Sequence, residues 1–122
     1  MLENPRKLTT HQKAVLIQVL LTFPEQHVIV CYFSSADDAM AYAQDFLMIF
    51  KAIGWKVNDV VLAETNPFTG IAIITSAEEN LPPSAEALRD ALRIYEIEVA
   101  ISRDAARNVA PGSFVFAVGS QT

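Results

Sequence analysis

The chain has 122 residues, the length of a single domain, and 52% of them are hydrophobic while 19% are charged. This balance excludes an intrinsically disordered chain, and no run approaches the roughly 20 apolar residues that a membrane-spanning helix needs. Nine Lys and Arg against 14 Asp and Glu give a net charge of −5, which argues against binding of double-stranded nucleic acid through a basic face. Cys31 is the one cysteine, so no internal disulfide can form, as is typical of proteins from a reducing cytoplasm.

Apolar periodicity and capping signals predict three helices and five strands. The runs at 27–33 and 114–118 are almost continuously apolar and have the length of buried strands. Hydroxyl and acidic side chains at 34–38 predict the start of the second helix, and Gly54 stands where its C-terminal cap belongs. In chain order the predicted elements are a helix from Thr9 or Thr10 to before Pro24, a strand at 27–33, a helix to about 53, a strand at 55–62, a strand at 71–75, a helix at 84–95, a strand at 97–101 and a strand at 114–118.

Two similar β-α-β units follow the first helix. Residues 28–57 and 71–99 each contain an apolar strand, a pair of hydroxyl residues, an amphipathic helix and a second strand. Right-handed crossovers make the two strands of each unit parallel. After a tail or linker at 1–8, the sequence therefore predicts a single α/β (α+β) domain over 9–122, with a mixed sheet of about five strands and packed helices. We expect 114–118 at an edge of this sheet, and a flavodoxin-like open sheet is the alternative.

No motif with an established catalytic mechanism is present. The chain lacks glycine-rich phosphate loops, and its two histidines, His11 and His27, fall on different predicted elements. Cys31 lies within an apolar strand, where a thiol is expected to be structural. A small hydrolase would have to use Ser35, His27 or Asp37 as nucleophile or base. We therefore expect a non-enzymatic protein with no cofactor and no catalytic or metal site.

Hydroxyl side chains follow two strands of the predicted sheet. Ser34 and Ser35 come directly after the first strand, and Thr75 and Ser76 come at the end of the third. Ligands of parallel α/β sheets bind beyond the carboxyl ends of strands, where helix N-termini and hydroxyls converge. A phosphodiester could be held there without a cluster of basic residues. The alternative is that these hydroxyls serve as helix caps and turn residues alone.

Two further groups of residues could contact a nucleotide. The turn before the third strand offers Phe68 for base stacking, Asn66 for base-edge hydrogen bonds, and Thr69, although an ordinary turn with a core Phe has the same composition. Two arginine pairs have the four-residue spacing of one helix face, Arg89 with Arg93 and Arg103 with Arg107. These pairs either meet phosphates or cover a solvated face. The candidate ligand-binding residues are therefore Ser34, Ser35, Asn66, Phe68, Thr69, Thr75, Ser76 and Arg103.

Several short motifs extend over most of the chain. They are LTTHQ at 8–12, DAMAYA at 38–43, AIGWKV at 52–57, TGI at 69–71, AL at 87–88 and 91–92, and FAVG at 116–119. In this pattern the chain resembles the soluble C-terminal domains of small bacterial membrane proteins, in which short transmembrane helices and a linker precede an α/β domain. One characterised type is the membrane effector of type III CRISPR systems, whose cytoplasmic domain binds cyclic tetra-adenylate as an oligomer.

The resemblance implies a function that the residues alone do not. It implies a non-enzymatic sensor of cyclic tetra-adenylate in antiviral defence, acting as a homo-oligomer such as a tetramer. It also implies a location at the cytoplasmic face of the bacterial inner membrane, through a transmembrane segment that is absent from this chain. No ligand-binding residue carries over from the family, so the candidate residues come from the chain's own pattern. A structural or assembly domain without a ligand is the alternative.

Overall fold

The computed structural model describes residues 7–33, 38–62, 69–75, 81–103 and 113–119. Its elements are the helices α1 (Thr10–Leu21), α2 (Ala39–Ala52) and α3 (Pro83–Ile94) and the strands β1 (His27–Phe33), β2 (Lys56–Leu62), β3 (Ile71–Thr75), β4 (Val99–Arg103) and β5 (Phe114–Val118). The predicted succession of a helix, two β-α-β units and a final strand is confirmed. β4 begins two residues later than predicted, so Arg103 ends a strand instead of lying in the following loop.

The five strands form one mixed sheet in the order β2-β1-β5-β3-β4. β1 is parallel to β2 and to β5, and β3 is parallel to β4, which confirms the predicted parallel pairs. β5 and β3 are antiparallel, so the two β-α-β units run in opposite directions on either side of β5. The expected edge position of 114–118 is wrong. All five residues of β5 are buried, because the strand has a neighbour on each side and lies at the centre of the sheet.

The opposite directions of the two units decide which strand ends meet. In register, Tyr32 lies beside Val118, and Val118 lies opposite Ile71. We call this the upper edge of the sheet, where β1, β2 and β5 end and β3 and β4 begin. At the lower edge β1, β2 and β5 begin, and β3 and β4 end with the paired residues Thr75 and Arg103.

All three helices pack on one face of the sheet and enclose the main core. α2 contacts β1, β2 and β5, α3 contacts β4, and α1 lies against both other helices. The largest fully buried side chains of this core are the rings of Phe46, Phe50, Phe114 and Phe116. A smaller buried cluster on the other face of the sheet consists of Cys31, Ile74, Val115 and Ala117. Since a flavodoxin-like sheet carries helices on both faces, that alternative is wrong for the described part of the chain.

The starts of α1 and α2 differ in how well the sequence predicts them. Thr9, one of the two expected caps, forms a capping box with Gln12: the Gln12 N–H donates to Thr9 Oγ1 (3.1 Å) and the Thr9 N–H donates to Gln12 Oε1 (2.8 Å). α2 begins at Ala39, with Asp38 as the N-cap residue and no side-chain cap hydrogen bond. The expectation that a hydroxyl side chain at 34–35 caps this helix is therefore wrong, because the helix begins later, at Ala39.

The end of α2 is the predicted glycine cap. Gly54 has a φ of +86°, and its N–H donates to Lys51 O (3.1 Å). The Trp55 N–H donates to Phe50 O (3.0 Å), and the rings of these two residues stack with centroids 5.5 Å apart. These two hydrogen bonds and the apolar contact form the Schellman arrangement. The turn that it makes leads directly from the end of α2 to the start of β2.

Candidate functional site

A groove opens at the upper edge beside the first residues of β3 and β4. Its volume is about 510 Å³, and its lining residues are Thr69, Gly70, Ile71, Arg93, Glu98, Val99 and Ala100. This volume falls within the range of small-molecule sites in proteins, roughly 300 to 1,000 Å³. Thr69, Arg93 and Glu98 are exposed, so their polar groups are available to a ligand.

The groove is assembled from two strand starts and one helix end. Ile71 pairs with Val99 in the parallel β3–β4 ladder, which brings Thr69 and Glu98 to neighbouring positions ahead of the two strands. Gly70 has a φ of +81°, and its carbonyl accepts the N–H of Gly119 (2.8 Å), so the start of β3 is tied to the end of β5. These contacts give the floor of the groove a defined backbone.

The polar side chains of the groove have no partner within the part of the chain that the structure describes. Among the described residues, the side chain of Arg93 has no ion-pair or hydrogen-bond partner, whereas the side chain of Arg89, one turn earlier on α3, contacts Asp90 Oδ1 at 3.1 Å. Thr69 and Glu98 likewise have no side-chain partner within the described ranges. The groove therefore presents a cation, a hydroxyl and a carboxylate together, a set that suits a ligand carrying both an anionic group and hydrogen-bond donors.

The turn that joins α3 to β4 holds a strained residue beside the groove. The Ile97 N–H donates to Leu92 O (3.1 Å) and the Glu96 N–H donates to Arg93 O (3.0 Å), the same arrangement that ends α2. Glu96 adopts a φ of +62°, a conformation that favours glycine. This conformation is the one that the Schellman arrangement requires of the residue after the C-cap, and it fixes the turn between Arg93 and Glu98.

The structure describes three of the predicted site residues, and these lie at opposite edges of the sheet. Thr69 lines the groove at the upper edge. Thr75 and Arg103 lie at the lower edge, and Thr75 is roughly 13 Å from Ile71 along β3 at about 3.3 Å per residue. Five predicted residues lie outside the described part of the chain: Ser34, Ser35, Asn66, Phe68 and Ser76.

The expected convergence of the hydroxyl-bearing strand ends is wrong. β1 ends with Phe33 at the upper edge, next in the chain to Ser34, whereas β3 ends with Thr75 at the lower edge. The reason is that the two β-α-β units are antiparallel to each other, so that equivalent strand ends point to opposite edges. Thr75 itself is 1% exposed, and among the described residues its hydroxyl has no hydrogen-bond partner.

Of the three residues named for the hydrolase alternative, the described part of the chain contains His27 alone, and Ser35 and Asp37 lie outside it. His27 begins β1 at the lower edge, where one of its ring nitrogens lies 3.1 Å from the side-chain nitrogen of Asn58. Within the described ranges no three His, Cys, Asp or Glu side chains are grouped as metal ligands. None of the described helices has the length and apolar character needed to span a membrane.

Two groove residues were not predicted as part of one site. The four-residue spacing groups Arg93 with Arg89, although the two side chains have different surroundings, and nothing in the pattern singles out Glu98. The β3–β4 register and the turn after α3 bring these residues together, and both features are non-local.

No protein-family model, curated protein or solved structure matches the chain.

Proposed function

We propose that this chain is a non-enzymatic ligand-sensing domain, and that its groove binds one nucleotide unit of cyclic tetra-adenylate. The observation that carries the proposal is the exposed, unpaired guanidinium of Arg93 in the groove. Guanidinium groups bind phosphate oxygens in a bidentate manner. The Thr69 hydroxyl can donate to the same phosphate, and the Glu98 carboxylate can accept from ribose hydroxyls or from the adenine amino group.

The size of the groove supports binding to an assembly of chains. A volume of about 510 Å³ accommodates a nucleotide but not a ring of four. A ring with repeating units is bound most simply by a symmetric homo-oligomer, since equivalent subunits present equivalent groups to equivalent phosphates. The proposal therefore includes a tetramer with one groove for each nucleotide.

The resemblance of the sequence motifs supplies the biological part of the proposal. Binding of cyclic tetra-adenylate would be signalled to an N-terminal transmembrane part outside this chain. The whole protein would then act at the cytoplasmic face of the bacterial inner membrane in antiviral defence. In this proposal the groove recognises the ligand, and the transmembrane part outside this chain responds to ligand binding.

The test compares two arginines on the same helix face. Calorimetric titration with cyclic tetra-adenylate is carried out on the unaltered chain, on Arg93→Ala and on the control Arg89→Ala. Loss of a charge-assisted hydrogen bond weakens binding by roughly 10- to 100-fold, so this is the change expected for Arg93→Ala. Arg89→Ala should bind normally, because Arg89 already contacts Asp90. No binding to the unaltered chain, or equal affinity for both variants, contradicts the proposal.

The salt dependence of the same titration gives an independent check. With a net charge of −5 and one arginine in the groove, few counterions are released on binding. The slope of log K against log salt should therefore be shallow, on the order of −1 to −3. A slope near −6 would require a basic surface that the groove does not have.

A second candidate function is an assembly domain without a ligand. Four large apolar side chains are between 56% and 78% exposed on the helices: Leu21, Met40, Met48 and Ile94. Exposed apolar side chains indicate a protein–protein contact where they form one continuous patch, so an assembly domain would require these four to lie together. An assembly domain should form its oligomer without ligand in light scattering, and its melting temperature should not respond to any cyclic oligoadenylate.

A further inference from the structure

We propose that the side of α2 turned away from the sheet binds the surface of a membrane that carries anionic lipid headgroups. The opposite side of α2 enters the core through rings such as those of Phe46 and Phe50, so this side faces the solvent. We call it the α2 outer face, and its residues are Met40, Ala41, Gln44, Met48, Lys51 and Ala52. All of them are exposed except Gln44, which is half-buried.

The α2 outer face carries a continuous apolar stripe. Residues four apart on a helix are surface neighbours. The stripe follows this spacing through Met40, Gln44, Met48 and Ala52. The two methionines are 56% and 64% exposed. The stripe therefore owes its continuity to a single helix and needs no contact between separate elements.

The outer side of α3 has a different character, although α3 packs on the same face of the sheet. Three of its five exposed residues are charged: Pro83, Glu86, Asp90, Arg93 and Ile94. Among the five exposed residues of α2, Lys51 alone is charged. A charged outer side is usual for a helix that faces water, so the α2 outer face is the exception in this helix layer.

The charges around the α2 outer face are basic. Lys51 lies on the face itself, and its side chain has no partner among the described residues. Two more lysines come from the segment that begins α1, which is tied to α2 through Asp45. The Leu8 N–H donates to Asp45 Oδ2 (3.0 Å), and Lys13 Nζ lies 3.6 Å from Asp45 Oδ1. Lys7, the neighbour of Leu8 in the chain, is exposed, and the Lys13 side chain is 40% exposed.

A lipid surface fits this combination better than a second copy of the chain. The whole chain has a net charge of −5, but here three lysines surround one carboxylate, that of Asp45, which is 18% exposed and already bound. Anionic headgroups attract the lysines, and the acyl boundary accepts the methionines. A symmetric contact between two α2 outer faces would bring the lysines of both copies together, with no unpaired carboxylate among the described residues of the face to offset them.

Binding through this face is expected to be weak and reversible. A short apolar stripe with a few lysines is one membrane signal, and stable anchoring takes two. The α2 outer face would therefore hold the domain against a membrane that another part of the protein also reaches. The proposal itself rests on the described residues and does not depend on a ligand in the groove.

The experiment is co-sedimentation of the unaltered chain with lipid vesicles of two compositions. One set contains phosphatidylcholine alone, and in the other set half of the lipid is phosphatidylglycerol. The chain should bind the anionic vesicles, and added salt should weaken the binding because it screens the lysine charges. No binding to the anionic vesicles, or equal binding to both sets, overturns the proposal.

Variants at exposed positions separate the apolar and the basic parts of the surface. Met40→Gln combined with Met48→Gln removes the apolar stripe and keeps the helix propensity, so binding to anionic vesicles should weaken roughly tenfold. Lys51→Gln removes one charge and should weaken binding about fivefold. Full binding by both variants contradicts the assignment of this face.

The matched controls change the same residue types elsewhere. Ile94→Gln replaces an apolar side chain of α3 that is 78% exposed. Lys56→Gln removes a lysine from the helix-free face of the sheet, since its neighbour Val57 packs against the main core. Both controls should bind like the unaltered chain, and a loss equal to that of the α2 variants would show a non-specific effect and overturn the proposal.

Light scattering without vesicles tests the competing occupant. If the α2 outer face joins two copies, the methionine variant should have a smaller mass than the unaltered chain, and that result overturns the proposal. The same mass for both chains supports a lipid surface.

Discussion

The ring of Phe50 on α2 contacts two aromatic rings of the sheet, so its removal tests the core between the helix layer and the sheet. The ring stacks on Trp55 at 5.5 Å and meets Phe114 at 6.4 Å and Phe116 at 5.9 Å. Phe50→Ala removes a fully buried ring and should lower the free energy of unfolding by about 4 kcal/mol. With a urea dependence of about 1.5 kcal/mol per molar for a domain of this length, the midpoint should fall by roughly 2.5 M.

The assay is urea unfolding followed by far-ultraviolet circular dichroism, since the fluorescence of Trp55 would itself respond to the loss of its stacking partner. Phe50→Leu, which keeps part of the volume, should lose about 1 to 2 kcal/mol. Met48→Ala is the matched control, because Met48 lies on the same helix and is 64% exposed, and its effect should stay within about 0.5 kcal/mol. If Phe50→Ala lost no more than Met48→Ala, the described core would be wrong.

The remaining predictions concern helix ends and are checked by thermal unfolding, where 1 kcal/mol shifts the melting temperature by roughly 4 °C in a domain of this length. Gly54→Ala should lower the free energy of unfolding by about 1 kcal/mol. The φ of +86° is the whole cause, since an added Cβ meets no atom within 4 Å. Glu96→Gly should instead stabilise by about 1 kcal/mol, because φ is +62° there; a loss would contradict the strained conformation. Thr9→Ala should cost about 1 kcal/mol by removing the capping box with Gln12, and no change would place the start of α1 elsewhere.

Local features of the fold follow from the sequence, and the pairing of distant segments does not. The apolar run at 27–33 coincides with β1, and Gly54 ends α2 as predicted, because periodicity and helix caps depend on neighbours in the chain. The run at 114–118 indicates a strand buried on both faces, but not which strands lie beside it. Its central position depends on contacts with β1 and β3, which come from remote parts of the sequence.

The candidate site shows the same limit more strongly. Hydroxyls mark the ends of strands in the sequence, but the edge at which Thr75 lies depends on the direction of β3 relative to β1. The direction of β3 cannot be predicted from the spacing of apolar residues. Thr75 therefore lies at the opposite edge of the sheet from the end of β1, although the sequence predicts one site for both. Arg93 and Glu98 become neighbours of Thr69 through strand register and a turn, neither of which is encoded in a motif.

The central position of β5 has a consequence for how the chain is made. During synthesis, both β-α-β units leave the ribosome before the strand that joins them, since β5 is the last of the five strands in sequence order. Until it arrives, β1 and β3 each carry an open apolar edge, the kind of surface that recruits other chains. Closure of the sheet is therefore a late step that depends on distant contacts, and such steps are slow. A nascent chain halted before Phe114 should be a strong client for chaperones, whereas the finished chain should not.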